Sequence, residues 1–495
     1  MRGPLKMDKK TELQTMKSQI GAPGFRKNIL EPSFLLLYAP QRHDPTYGVV
    51  KPEVSLGNLY IAAVLEENGF EVDILDCCIG NERHGMEESF NRMTPLSGGM
   101  VRIGLSPETI IKEVADYDVI GISSIFTPQT YMVEELVKLV SGAYPDKLII
   151  MGGINARSQM QRFFDAGARL ICISEAERTI LRIGNILRQG SRDFSGVPGV
   201  AFLKNERIHV NPMTEMEYDL DNLPIPARHK LPLKRIAEIA RPHGGVIKPG
   251  QLEKNQIYVS AMTSRGCPYV CSFCHISGEQ KDSEVGYLGK FRYQSAERVE
   301  REMAAIKELG AKYIYIEDDS LLAKKKRALN IFRMLTKFGF SLGDVNGVNL
   351  SHLHKNEGGK IVVDDEMLET MAEAGFDRLS FPVESGSQRI IDKWVSGKIS
   401  HDVYDISALI KKANSLGIIV SSCYLIGYPD ETYEELAQTL LMAKKHMDAG
   451  STYVNFTIVT PFPGTALYDY VTRNNLLLPE IEIADLDWMR PSIKT

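Results

Sequence analysis

Between residues 34 and 188, short apolar runs alternate with longer stretches whose apolar positions recur at helical spacing. Such runs, apolar on both faces, are the mark of a parallel sheet covered by helices on both sides. Strands are predicted at 34–38, 71–75, 118–123, 147–151 and 169–173, and helices at 56–68, 130–141, 158–166 and 176–188. This order gives a doubly wound, Rossmann-like α/β domain over 34–210. Its last part, VAFLKNERIHV, reads as a hairpin turning at Asn205 and Glu206. A Pro-rich stretch, DLDNLPIPARHKLPLKR, then opens a linker over 211–255 that continues through the glycine-rich PHGGVIKPG.

A second alternation follows. Strands are expected at 257–262, 313–316, 345–350, 378–383, 418–425 and 453–459, with helices at 295–309, 324–338, 365–374 and 433–447. Six strand-helix units fit a partial (β/α)6 barrel of the TIM type over 256–470, whose working face is the carboxyl end of its strands. Residues 1–33 lack a strong apolar period and read as an amino-terminal arm, and 471–495 as a short tail.

With 495 residues the chain has material for two cores. The net charge of -5 and the absence of a long Lys/Arg block leave no footprint for nucleic acid. No apolar run reaches the length of a membrane span, and no apolar signal segment opens the chain. Seven cysteines, an odd number, argue against a disulfide scaffold and for a reducing cytoplasm.

Three of the seven, Cys267, Cys271 and Cys274 in SRGCPYVCSFCH, follow the first strand of the second domain at C-x3-C-x2-C spacing. A cubane 4Fe-4S cluster takes four thiolates, so three from one loop leave one iron open to a ligand that is not protein. Two other readings stand beside this one. Adjacent His275 could close a tetrahedral zinc site, and Cys271 to His275 spells C-x-x-C-H, the haem attachment string.

The whole string resembles the radical SAM superfamily. The resemblance implies that the open iron chelates S-adenosylmethionine, whose reductive cleavage gives a 5'-deoxyadenosyl radical. Arg265 and Gly266 fit the lead-in to the first cysteine, and Phe273 falls where the family places an aromatic near the adenine. Further strings suit S-adenosylmethionine contacts: Glu317 and Asp318 of IEDDS, Glu384 and Ser385 of PVESGSQRIID, and Ile426 and Gly427 of CYLIGYPDET. TPFPGTALY closes the sixth strand as in relatives. The loops YAPQ, GISSIFTPQT, MGGINAR and ISEAE at the strand ends of the first domain are similar to the cobalamin-binding domain found ahead of many such barrels. Ligands of open α/β sheets sit at those ends. By that likeness Ser123, Ser124 and Thr127 offer hydroxyls, while Gly152 and Gly153 admit a flat macrocycle. The D-x-H-x-x-G string that supplies a cobalt ligand elsewhere is absent, and a Rossmann-like domain that binds nothing is the plainer alternative.

The likeness implies a cobalamin-dependent methyltransferase acting on an unactivated centre of a small-molecule or peptide substrate. An electron donor such as flavodoxin or ferredoxin is the expected partner. The alternative is a radical SAM cyclase or ring-rearranging enzyme without methyl transfer. Catalytic residues beyond the cofactor sites, and the roles of His352, His354 and Cys423, are open at this level. Cys77, Cys78 and Cys172 lack the spacing of a second cluster triad.

Overall fold

The computed structural model describes residues 31–46, 55–239, 256–279 and 283–494. The arm, apart from its last few residues, and the PHGGVIKPG stretch lie outside them. The chain divides into two compact units, one built on Gly57–Glu215 with the first strand, the other on Met216–His229 and the residues from Leu233 onward.

In the first unit the strands are β1 (Phe34–Tyr38), β2 (Gln41–His43), β3 (Val72–Asp76), β4 (Met93–Pro95), β5 (Val101–Ile103), β6 (Val119–Ser123), β7 (Leu148–Gly152), β8 (Leu170–Cys172), β9 (Val200–Lys204) and β10 (Arg207–Val210). Seven of them form one sheet in the order β10-β9-β8-β7-β6-β1-β3, parallel from β3 through β8. The order in which strands are added reverses between β1 and β6, so the crevice at their carboxyl ends is the topological switch point. The strands are continuous apolar runs because both faces are covered: β1 is FLLLY and buried throughout. Asn205 and Glu206 turn the β9–β10 hairpin with φ of 50° and 61°, the left-handed pair that a two-residue turn requires. A small sheet, β2-β5-β4, was not evident from periodicity because its strands have three residues each.

The second unit continues with β11 (Tyr258–Ala261), β12 (Ser264–Arg265), β13 (Arg292–Tyr293), β14 (Tyr313–Ile316), β15 (Ser341–Asp344), β16 (His354–Glu357), β17 (Lys360–Val363), β18 (Phe376–Glu384), β19 (Ile419–Ile426) and β20 (Tyr453–Ile458). A six-stranded sheet in the order β11-β14-β15-β18-β19-β20 is parallel throughout, which is the expected partial barrel. The third barrel strand is the one misplaced by pattern. It is Ser341–Asp344, not 345–350, because the buried SLGD segment pairs on both sides while VNGVNL turns away at Gly347 (φ +86°) into a 3-10 turn at Leu350–Leu353.

The expected linker is in part integral to the barrel. Arg228, Arg298 and Glu302 are each 1–2% exposed and form a buried triad: Arg228 Nη2 lies 2.5 Å and Arg298 Nη1 3.0 Å from the Glu302 carboxylate. The guanidinium groups also donate to the carbonyls of Ser260, Leu223 and Pro224. The chain after Met216 is thereby fixed to β11 and to the helix Ala296–Glu308.

Candidate active site

The cysteine loop leaves β11 and is braced on several sides. Gly266 has φ +81°, and a Cβ there would lie 2.4 Å from the Lys290 carbonyl, so only glycine fits. Its N–H donates to Asp319 Oδ2 at 2.8 Å, and the Cys267 N–H to the Gly289 carbonyl at 3.1 Å. Tyr269, between the first two cysteines, pairs through its hydroxyl with His352 Nε2 at 3.1 Å. Ser272 donates from both N–H and Oγ to the Trp394 carbonyl, each at 2.9 Å, while its own carbonyl accepts from Leu467 N–H at 2.8 Å. His275 Nε2 meets the Pro463 carbonyl at 2.9 Å, which orients the ring toward that loop.

All three cysteines are free thiols, Cys271 buried and the other two half-buried. Burial raises each pKa, that of Cys271 to about 11, and the charge of Cys274 acts on both Cys267 and Cys271. Buried thiols of this kind become thiolates by binding metal and releasing protons. Among the described residues no three His, Cys, Asp or Glu side chains gather as ligands of a single ion. Cubane thiolates each bind a different iron, so a cluster does not require three ligands gathered on one ion, and three thiols on one loop are the donor set it takes.

Lys398 is a candidate site residue that the sequence did not disclose. Its ammonium, with 11% of the side chain exposed, lies 2.7 Å from Glu384 Oε1. Burial opposes its charge, but Glu384 and Cys271 outweigh that and hold its pKa above the ordinary value. Glu384 at the end of β18 and Ser396 in the following turn both have positive φ, 69° and 57°. For residues other than glycine that conformation costs about 1–3 kcal/mol each and concentrates at working sites. Ser396 Oγ is 3.9 Å from Cys271 Sγ.

The other positions matched to S-adenosylmethionine divide by placement. Asp318, 3% exposed, accepts from Thr263 N–H and Oγ1 at 2.7 Å each and from Ser264 Oγ. That ties its carboxylate to the loop base. Ser385 is fully buried, its Oγ taken by Thr439 Oγ1 at 3.2 Å and Ser387 N–H at 3.1 Å. Glu317 and Phe273 are half-buried, and the Phe273 ring lies 6.4 Å from that of Tyr428. Ile426 ends β19, and Gly427, φ +82°, donates to Glu431 Oε2 at 2.6 Å. His352 is held near a pKa of about 4 by burial and by Lys325, so it stays neutral where it holds Tyr269. His354 is buried with Nδ1 2.8 Å from the Leu350 carbonyl. Cys423 is half-buried on β19, its thiol raised to about 11 by burial.

At the switch point of the first unit, Tyr38, Ser123 and Gly152 stand in register at the carboxyl ends of β1, β6 and β7. A Cβ on Gly152 would meet nothing within 4 Å, so open space lies over that strand end. Three of the five candidates turn inward instead. Ser124 Oγ accepts from Asn155 Nδ2 at 2.8 Å, within a buried network that joins Thr130 and Gln159. Thr127 is buried and its carbonyl accepts from Thr130 Oγ1 at 2.7 Å. Gly153, φ +101°, would place a Cβ 2.2 Å from the Ser124 carbonyl, so its need for glycine is internal and not owed to a macrocycle. Asn155 escaped notice because a lone Asn in a short helix carries no periodic signal.

Comparison with known proteins agrees with both halves of this geometry. The model of the radical SAM superfamily matches residues 262–443, and that of the B12 binding domain matches residues 49–183. Cytidylyl-2-hydroxyethylphosphonate methyltransferase of Streptomyces wedmorensis is 28% identical, over 94% of this chain and 86% of its own. An uncharacterised methyltransferase of Pyrococcus horikoshii is also 28% identical, over 76% and 75% of the two chains. Among solved structures, the radical S-adenosylmethionine methyltransferase TsrM of Kitasatospora setae, with cobalamin and a [4Fe-4S] cluster bound, superposes with a TM-score of 0.63 at 16% identity, over 90% of this chain and 75% of that one. No helix among the described residues is long and apolar enough to cross a membrane. The chain carries a B12-binding domain followed by a radical SAM domain.

Proposed function

We propose that this protein is a cobalamin-dependent radical SAM methyltransferase acting on an unactivated centre. One observation carries the reading: a three-cysteine loop, braced at the strand ends of a parallel partial barrel, in one chain with a B12-binding sheet whose switch point is open above Gly152. When bound, the cluster supplies an electron to S-adenosylmethionine, and cobalamin supplies methyl transfer. The chain's own residues fix the cysteines, bury the Glu384–Lys398 pair beside them and exclude water, which a reactive radical requires. The two methyltransferase relatives favour this reading over ring formation without methyl transfer.

Several finer statements belong to the proposal. Cys267, Cys271 and Cys274 are the cluster ligands. Phe273, Glu317, Glu384, Ile426 and Gly427 are the S-adenosylmethionine contacts, and Ser123 and Gly152 face the corrin. Asp318, Ser385, Ser124, Thr127 and Gly153 shape those sites from behind. The substrate is a small molecule, the electron donor a flavodoxin- or ferredoxin-like protein, and the setting the cytoplasm. Anaerobic purification with cluster reconstitution tests the reading. About four irons and one cobalt per chain are expected, with 5'-deoxyadenosine formed and a deuterated methyl group carried into product. Wild-type protein that holds no cobalt after incubation with hydroxocobalamin would refute the methyltransferase reading. A Cys271→Ala variant that still makes 5'-deoxyadenosine would refute the ligand assignment.

A further inference from the structure

Tyr428, one residue past Gly427, is a buried polar side chain packed against Phe273 of the cysteine loop, with no task in the proposed chemistry. The residue is 0% exposed. Its hydroxyl has no hydrogen-bond partner among the described residues, although buried phenols ordinarily have one. The ring is wedged between two neighbours that define its surroundings. Phe273, which sits between Cys271 and Cys274, has its ring centroid 6.4 Å away, and Trp394 stacks on it at 6.4 Å with an interplanar angle of 25°. The two residues after Trp394 hold Cys271, whose Sγ lies 3.6 Å from the Val395 carbonyl and 3.9 Å from Ser396 Oγ. Burial first, then the charges of Glu384, Cys271 and Glu431, push the Tyr428 pKa well above its ordinary value. The oxygen therefore keeps its proton, and that proton is left without an acceptor. Water does not reach it, and none of the described residues accepts its proton. An acceptor that is not polypeptide would complete its bonding, and Cys271 is near enough for its charge to act on the phenol.

We propose that the Tyr428 hydroxyl donates a hydrogen bond to a sulfur of the iron–sulfur cluster bound through Cys271, and thereby makes that cluster easier to reduce. The inference rests on the reading of the three cysteines as cubane ligands. Hydrogen bonds to cluster sulfurs raise the reduction potential because they favour the more negative, reduced state. Tyr428 acts through the cluster, so it is a positioning and tuning residue.

Tyr428→Phe removes one oxygen and leaves the ring on Phe273 and Trp394. The reconstituted variant is titrated potentiometrically without S-adenosylmethionine, the reduced cluster being followed by electron paramagnetic resonance. The expected result is a midpoint lower by about 59 mV, a tenfold change in a one-electron equilibrium, at unchanged iron content and melting temperature. A midpoint equal to wild type overturns the proposal. So does a shift that appears only after S-adenosylmethionine is added, since the hydroxyl would then serve the nucleotide. Trp394→Phe disturbs the packing but keeps the hydroxyl, and an equal shift in that variant also overturns it. Should Tyr428→Phe cost the cluster, wild-type protein in D2O decides. Pulsed resonance of the reduced cluster should show a strongly coupled exchangeable deuteron, and its absence overturns the assignment. Wild-type protein that binds no iron would instead overturn the cubane reading itself.

Discussion

Replacing Glu302 by Gln tests how the segment after Met216 is joined to the barrel. The glutamate accepts from two arginines that are themselves almost fully buried, at 2.5 and 3.0 Å. Removing one member of such a group leaves uncompensated charge in the interior, which costs about 3–5 kcal/mol. The carbonyl partners that Arg228 and Arg298 retain at Ser260, Leu223 and Pro224 place this case toward the low end, about 3 kcal/mol. Both tryptophans of the chain, Trp394 and Trp488, belong to the barrel unit, so their fluorescence reports its unfolding separately from the first unit. With a urea slope of about 3 kcal/mol per molar, the midpoint should fall by about 1 M. A triple variant with Arg228, Arg298 and Glu302 all replaced by Met or Leu should recover most of that loss, because apolar groups of similar volume remove the charge problem. A Glu302→Gln midpoint within experimental scatter of wild type would refute the reasoning. A triple variant less stable than the single one would show that packing, not charge, carries the joint.

Gly266→Ala should lower iron content after reconstitution while the barrel still melts cooperatively, because the new Cβ would sit 2.4 Å from the Lys290 carbonyl at the first turn of the loop. Iron measured per folded chain checks this. Gly152→Ala and Gly153→Ala should separate cleanly. The first meets open space and weakens cobalamin retention without changing the melting temperature, whereas the second strikes the Ser124 carbonyl and destabilises the first unit by about 1–3 kcal/mol. His446 is buried, pairs through Nδ1 with the Tyr424 hydroxyl at 2.6 Å, and is held at a pKa of about 4, chiefly by burial. Unfolded, it titrates near 6.5, so between pH 6.5 and 4 the unfolded chain binds the extra proton. Barrel stability should therefore fall by up to about 3 kcal/mol as pH drops through that window, and His446→Gln should flatten the decline.

The cysteine loop was legible because its chemistry lies in contiguous spacing. Five of the six barrel strands were legible because buried parallel strands read as short apolar runs. Ser341–Asp344 was not, since it contains Gly343, where a Cβ would come 2.6 Å from Arg378 Nε. A strand thinned to admit an arginine loses its apolar signature. Asp318 shows a different limit. An acidic loop at a strand end suggests a cationic ligand, yet only coordinates reveal that the carboxylate already holds Thr263 and Ser264. Lys398 and Tyr428 stayed hidden for a third reason: each feels the charge of Cys271, which lies more than a hundred residues away in the chain.

The contacts of Ser272 with Leu467 and of His275 with Pro463 bring the loop against segments made almost two hundred residues later. A ribosome releasing this chain has therefore exposed the thiols long before the parts that brace them exist. Iron delivered early would find a floppy trio open to oxidation and to the wrong metal. The fold thus leaves the loop unbraced until the segment around Pro463 and Leu467 has been made, and a product truncated before Pro463 lacks those two contacts.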